Sequence, residues 1–247
     1  SITHPRNMND IAHNLAQVRD KISAAATSCG RAPEEVTLLA VSKTKPAGAI
    51  EEAMAAGQVA FGENYVQEAL QKRLDLAADP ATAELCAGIR WHMIGHVQSR
   101  KAPLVAGAFS LVHTLDSRKL ADAMERRLVQ ANARQPVLFE VNVGGESQKS
   151  GVMSGDLPEL ADYVLEHCPH LDVQGLMCLP PVFDAGDAAR PHFAHLRELR
   201  DTLRTRLGLP LPELSMGMSG DFEGAVAEGA TMVRIGTDIF GPRPAKA

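Results

Sequence analysis

The chain has 247 residues, of which 45% are hydrophobic and 22% charged, a composition typical of a globular protein with a full core. Its formal net charge of −5 argues against nucleic acid and anionic lipid as partners, and no apolar run reaches membrane-spanning length. The four cysteines show neither close pairs nor metal-ligand spacing, so we expect reduced thiols, no metal site and a cytoplasmic location.

Strand-like and helix-like segments alternate along the chain. An amphipathic helix over 8–29 comes first, with apolar residues at helical spacing. The predicted strands that follow cover 37–43, 59–62, 89–95, 110–114, 137–143, 173–178, 213–216 and 231–235. The predicted helices between them cover 47–56, 66–78, 99–106, 117–132, 157–167, 188–207 and 221–228.

This alternation predicts an α/β protein with one domain over 1–247, a closed parallel (βα)8 barrel of the TIM type with an extra N-terminal helix. The rival fold is an open doubly wound sheet, which usually has fewer strands and a glycine-rich first turn. Here the first turn is Lys43-Thr44-Lys45-Pro46, without that glycine pattern. The barrel is therefore the favoured fold.

Barrels of this kind carry their chemistry at the carboxyl ends of the strands, and the first strand ends in Lys43. Because alternate residues of a strand share a face, Lys43 lies on the face of Val41 and Leu39. Two interpretations stay open here. Lys43 is either a desolvated amine that attacks an aldehyde or a lysine that reaches solvent at the barrel rim.

Three further strand-end residues have both a functional and a structural interpretation. Asn64 could hydrogen-bond a ligand or cap the following helix. His92 shares a face with Ile94 and points inward, as a ligand contact or as a satisfied core histidine. Met177 could pack on a ligand ring or simply fill the core.

The loop after the seventh strand suggests an anion site. Segment 215–221 places glycine-spaced backbone amides, Met218 and the hydroxyl of Ser219 directly before a helix. Helix N-termini and successive backbone N–H groups bind anions, and barrels commonly bind phosphate at this loop.

The end of the eighth strand agrees with this interpretation. Gly236 lets the backbone approach a ligand, Thr237 can donate a hydroxyl, and Arg234 shares the face of Gly236. Ordinary turns also contain glycine and serine, but two such loops on these strands favour a phosphorylated ligand. A lysine across the barrel mouth from a phosphate predicts Schiff-base chemistry.

Several ordered segments together resemble the pyridoxal-phosphate homeostasis proteins, whose fold is that of the alanine racemase N-terminal barrel. They are LAVSKTKP at 39–46, FGENY at 61–65, WHMIG at 91–95, GLMCLPP at 175–181, LSMGMSGD at 214–221 and VRIGT at 233–237. The resemblance runs from the first strand to the end of the chain. It departs at Arg100, where the family more often has Asn.

The resemblance implies that pyridoxal 5'-phosphate is the cofactor and that Lys43 forms the Schiff base with it. It also implies that Arg234 faces the pyridine nitrogen and leaves it largely unprotonated, since a guanidinium does not give up its proton. The phosphate is expected at Ser219, Gly236 and Thr237, with nearby amides assisting. The full predicted cofactor-binding set is Lys43, Asn64, His92, Met177, Met218, Ser219, Arg234, Gly236 and Thr237.

Three functions compete at this stage. The first is a monomeric binding protein, without robust catalysis, that stores pyridoxal 5'-phosphate or passes it to apo forms of enzymes that use it. The second is an amino-acid racemase with weak or narrow activity, and the third is a cofactor-free Schiff-base aldolase. Related racemases have a C-terminal β domain and often a tyrosine base, neither of which we expect here; Tyr65 and Tyr163 are poorly placed for that role.

Overall fold

The structure is a computed structural model and describes residues 10–242. Its strands are β1 Thr37–Val41, β2 Ala60–Glu63, β3 Arg90–Met93, β4 Leu111–Leu115, β5 Gln135–Asn142, β6 Val152–Met153, β7 Leu171–Cys178, β8 Glu213–Ser215 and β9 Met232–Ile235. Its α-helices are α1 Ile11–Ser28, α2 Ala47–Ala55, α3 Val66–Ala78, α4 Pro80–Cys86, α5 Ala102–Val105, α6 Arg118–Ala131, α7 Leu157–His167, α8 Arg190–Leu207, α9 Phe222–Ala227 and α10 Thr237–Phe240.

Eight of the nine strands close into a parallel barrel. The strand order is β4-β3-β2-β1-β9-β8-β7-β5-β6, and a further pairing of β4 with β5 joins the ends. The short β6 pairs only with the end of β5 and lies outside the ring. The predicted closed parallel barrel is therefore confirmed.

Alternation of side chains along the strands divides the core into two layers. One layer packs between the sheet and the surrounding helices. The other fills the barrel interior and consists of Leu39, Ala60, Ile94, Leu111, Leu138, Met177 and Met232. The interior is therefore packed with side chains and is not an open channel.

The first helix packs where the first and last strands of the barrel meet. Its apolar residues recur every three or four positions and are buried, and Asp10 caps it by accepting a hydrogen bond from the His13 N–H at 3.1 Å. α1 packs against α2, α9 and α10, the helices that follow β1, β8 and β9. The first two residues of the predicted helix, 8 and 9, lie outside the described residues.

The remaining predicted elements agree with the structure to within a few residues, with three additions. Ser117 caps α6 as predicted, accepting from the Leu120 N–H at 3.1 Å. Sequence reasoning missed α4, β6 and α10. Predicted helix 99–106 divides into a 3-10 turn at Ser99–Lys101 and α5. Within residues 10–242 no helix is both long and apolar enough to cross a membrane.

Candidate functional site

A cavity of about 230 Å³ opens where β1, β8 and β9 end. Because β1 pairs in parallel with β9, with Ala40 opposite Ile235, the carboxyl ends of the first and last strands meet at one edge. Six of the nine residues predicted to bind the cofactor line this cavity: Lys43, Met218, Ser219, Arg234, Gly236 and Thr237.

The turn that carries Lys43 is held through its neighbours. Lys72 Nζ of α3 donates to the Ser42 carbonyl oxygen at 2.8 Å. The Thr44 N–H donates to Glu68 Oε1, and Thr44 adopts a left-handed conformation with φ of 63°. These contacts fix the backbone on both sides of Lys43 and leave its half-buried side chain on the cavity wall.

A buried ion pair lies beneath this turn. Lys72 contacts Glu63, and Ser42 Oγ donates to Glu63 Oε1 at 2.9 Å. Glu63 is fully buried, and burial raises the pKa of its carboxyl while Lys72 acts in the opposite direction. Sequence reasoning missed the Lys72–Glu63 pair. The one available indication was that Lys72 stands four residues after Glu68, a spacing at which helical side chains form ion pairs.

The loop after β8 has a conformation suited to binding an anion. The Met218 N–H is engaged within the loop, because it donates to Asp221 Oδ1 at 2.7 Å. The N–H groups of Ser219 and Gly220 donate to no other residue in the described part of the chain. These two amides, rather than that of Met218, are therefore available to a ligand, together with the Ser219 hydroxyl.

Arg234 is held rigidly in the wall between the cavity and the barrel interior. Only 3% of its surface is exposed. Its Nη1 donates to Ser215 Oγ at 2.6 Å, and its Nη2 donates to the Cys178 carbonyl oxygen at 2.9 Å. Burial lowers the pKa of Arg234 from a very high ordinary value, so the side chain remains a cation.

The described ionisable side chains of the cavity wall are all basic. They are Lys43, Lys45 and Arg234, and no described carboxylate joins them in the wall. Hydroxyls from Ser219 and Thr237 add neutral donors. The cavity therefore favours an anionic ligand and presents a primary amine to it.

The other three predicted residues lie elsewhere. Asn64 lines a neighbouring cavity of about 340 Å³ together with Arg100, and its buried Oδ1 has no partner among the described residues. His92 is buried in the barrel, with its Nδ1 2.9 Å from His113 Nε2. Met177 is fully buried in the inner apolar cluster. The cavity containing Lys43 includes none of them.

Neither tyrosine lines the cavity containing Lys43. Tyr65 belongs to the neighbouring cavity, and Tyr163 donates to Asp122 at 2.7 Å between α6 and α7. In the described residues no tyrosine is therefore available as a base beside Lys43.

Comparisons with known proteins agree with this geometry. The family model "Alanine racemase, N-terminal domain" matches residues 7–244. Over 243 residues the chain is 47% identical to a pyridoxal phosphate homeostasis protein of Escherichia coli K12, covering 96% of this chain and 98% of that protein. It is 44% identical to the protein of the same name from Aquifex aeolicus, covering 93% of this chain and 96% of that one.

A solved structure is also similar over almost the whole chain. PipY of Synechococcus elongatus, determined with PLP bound, superposes with a TM-score of 0.78 at 36% sequence identity. The match covers 94% of this chain and 100% of PipY. The chain therefore belongs to the pyridoxal phosphate homeostasis protein family, whose fold is the alanine racemase N-terminal barrel.

Proposed function

We propose that this protein binds pyridoxal 5'-phosphate, holds it through a Schiff base on Lys43, and serves to store or deliver the cofactor inside the cell. The observation that carries the proposal is the composition of one cavity. A primary amine stands there beside a basic, hydroxyl-bearing wall that includes two available backbone amides. That set of donors matches a small phosphorylated aldehyde.

Each group has a defined task in this proposal. Lys43 supplies the nitrogen that adds to the aldehyde carbon, with loss of water. Ser219, Thr237 and the amides of Ser219 and Gly220 would hold the phosphate. Arg234 would face the ring nitrogen as a donor that keeps its own proton, which leaves the ring a weak electron sink.

The relatives support the same assignment. PipY has been determined with PLP bound, and relatives at 47% and 44% identity are named pyridoxal phosphate homeostasis proteins. When bound, pyridoxal phosphate supplies a reactive aldehyde and an aromatic ring that withdraws electrons. We further propose that the chain works as a monomer in the cytoplasm and passes its cofactor to apo forms of enzymes that require it.

Borohydride trapping tests the proposal. The purified protein is incubated with pyridoxal 5'-phosphate, reduced, digested and analysed by mass spectrometry. We expect a visible absorbance band before reduction and a phosphopyridoxyl label on the peptide that contains Lys43. The Lys45→Ala variant is the matched control, since Lys45 lies two residues away on the same cavity wall.

The outcomes separate the two parts of the proposal. A label that stays on Lys43 in the control variant supports both parts. In the wild-type protein, a label chiefly on Lys45 would overturn Lys43 as the anchor but leave cofactor binding intact. No absorbance band and no label with folded protein would overturn cofactor binding itself.

A further inference from the structure

A line of hydrogen bonds crosses the barrel interior and ends at Arg234. His92 Nδ1 lies 2.9 Å from His113 Nε2, and His113 Nδ1 lies 2.9 Å from Ser215 Oγ. Ser215 Oγ then accepts from Arg234 Nη1 at 2.6 Å. The four side chains are at most 5% exposed, and they come from β3, β4, β8 and β9.

The chemistry of the groups gives this line a direction. Arginine can only donate, so Ser215 Oγ accepts from Arg234 and has its own proton left to donate to His113 Nδ1. A neutral His113 then carries its proton on Nε2 and donates it to His92 Nδ1. Every bond therefore points away from Arg234, and both imidazoles are in the Nε2–H form.

The surroundings keep both imidazoles neutral. Burial, with help from the charge of Arg90, lowers the pKa of His92 to about 4. Burial, His92 and Arg234 lower the pKa of His113 well below its ordinary range. A proton added to His113 would place a second cation beside Arg234 and remove the acceptor that Ser215 needs.

Two carboxyl groups also interact with the charge of Arg234. The buried carboxyl of Glu140 and the carboxyl of Asp221 both act on the charge of Arg234. In the structure the guanidinium instead binds Ser215 and the Cys178 carbonyl. Without the Ser215 acceptor, only the bond to the Cys178 carbonyl oxygen would hold the guanidinium in place.

The position of the line argues against simple filling of the core. Around it the barrel interior is filled by apolar side chains, including Ile94, Leu111 and Met232. Burying polar groups in such surroundings is costly unless all of them are paired, whereas apolar side chains carry no such cost. Four polar side chains that hydrogen-bond one after another and end on one cavity residue therefore serve that residue.

We propose that His92, His113 and Ser215 are positioning residues that hold the Arg234 guanidinium against the cofactor cavity. This inference rests on the proposed function, because it concerns the end of the cavity where Arg234 would meet the ring nitrogen. His92 and His113 do not touch the ligand; they act through Ser215.

The first arm of the test needs no cofactor. Nitrogen-15 NMR of labelled wild-type protein without cofactor should show protonated Nε2 and unprotonated Nδ1 for both histidines at neutral pH. A protonated Nδ1 on His113 would overturn the proposal, whether or not the protein binds pyridoxal 5'-phosphate.

The second arm measures the bound chromophore. Ser215→Ala and His113→Leu should each weaken binding of pyridoxal 5'-phosphate about tenfold and shift the pH midpoint of its visible absorbance. His113→Asn, which keeps an acceptor near the Nδ1 position, should restore most of both properties. Ile94→Val, another change in the barrel interior, is the control for packing.

These measurements distinguish a positioning role from a purely structural one, and both from a failure of the proposed function. If His113→Leu only lowers stability, like Ile94→Val, and leaves the affinity and the pH midpoint unchanged, the positioning role is wrong. If wild-type protein binds no pyridoxal 5'-phosphate, the proposed function fails and with it the cofactor role of Arg234, while the NMR arm still decides the hydrogen-bond line.

Discussion

Lys72 of α3 donates a 2.8 Å hydrogen bond to the carbonyl oxygen of Ser42, the residue directly before Lys43. The same ammonium group neutralises the fully buried Glu63. One side chain outside the cavity therefore both stabilises the fold and holds the turn that carries Lys43.

Replacing Lys72 by methionine tests this double role. Lys72→Met leaves Glu63 buried without its cation, and breaking a buried pair from one side costs about 3 kcal/mol or more. Urea unfolding should show this loss. The loss should be larger at high pH than at low pH, because at low pH the unpaired Glu63 can take up a proton. Lys45→Met, on the same turn, should change stability little; equal losses for both variants would contradict the assigned role.

The hydroxyls of the loops after β8 and β9 predict a selective loss of affinity. Ser219→Ala combined with Thr237→Val removes two hydroxyl donors from the cavity wall. Binding of pyridoxal 5'-phosphate should weaken about tenfold or more, because hydrogen bonds to a charged group are strong. Unphosphorylated pyridoxal, measured by the same titration, should be barely affected. Equal losses for the two ligands would place the phosphate elsewhere.

Two glycines of the same loop should respond differently to alanine. Gly217 has φ of +104°, and a Cβ there would approach Ala225 Cβ at 2.7 Å. Gly217→Ala should therefore destabilise the protein by roughly 2–4 kcal/mol, through strain and overpacking. At Gly220 a Cβ would meet open space, so Gly220→Ala is the matched control and should unfold near the wild-type midpoint. Similar thermal midpoints for both variants would contradict the packing described for this loop.

Glu140 should make stability depend on pH near neutrality. It is 3% exposed, and burial is the main cause that raises its pKa to about 7 from an ordinary value of 4.5. At pH values between 4.5 and about 7, the Glu140 carboxyl is ionised in the unfolded chain and protonated in the folded chain. The contribution of Glu140 to the free energy of unfolding therefore falls as pH rises. Relative to wild type, Glu140→Gln should gain about 2–3 kcal/mol between pH 5 and pH 8. Parallel pH profiles would show that Glu140 titrates normally.

The cavity also predicts little catalysis. Among the described residues its wall carries lysines and Arg234 but no carboxylate, and neither tyrosine lines it, so no second base is available opposite Lys43. Incubation of the loaded protein with single L-amino acids in deuterated water should therefore give little exchange at Cα and no steady formation of the D-enantiomer. Steady racemisation of any common amino acid, lost in Lys43→Ala, would make the racemase hypothesis the better one.

Periodicity alone was sufficient to predict the barrel, because each strand is a short apolar run and each helix an amphipathic one. It missed α4, because Asp79-Pro80 can either end one helix or begin another. Asp79 in fact caps a helix by accepting from the Ala81 N–H at 2.9 Å, with Pro80 in the first turn. A proline near a helix end is compatible with either interpretation, so local sequence could not decide.

The site was less accessible to sequence reasoning, since its supporting contacts join distant segments. Strand ends and loop chemistry indicated Lys43 and the loops after β8 and β9, which the structure brings to one cavity. The contact between His113 and Ser215 spans 102 positions. It depends on the register of strands across the barrel, which spacing in the sequence does not encode.

The pairing of the first strand with the last has a consequence for biosynthesis. Thr37 to Ala40 bond across to Met232 to Ile235, so the cavity wall combines the beginning and the end of the chain. A nascent polypeptide that lacks β9 holds Lys43 at an open sheet edge, without the loop after β9 beside it. Under the proposed function, cofactor capture would therefore wait until β9 has paired with β1, and the appearance of the absorbance band would report closure of the barrel rather than local folding.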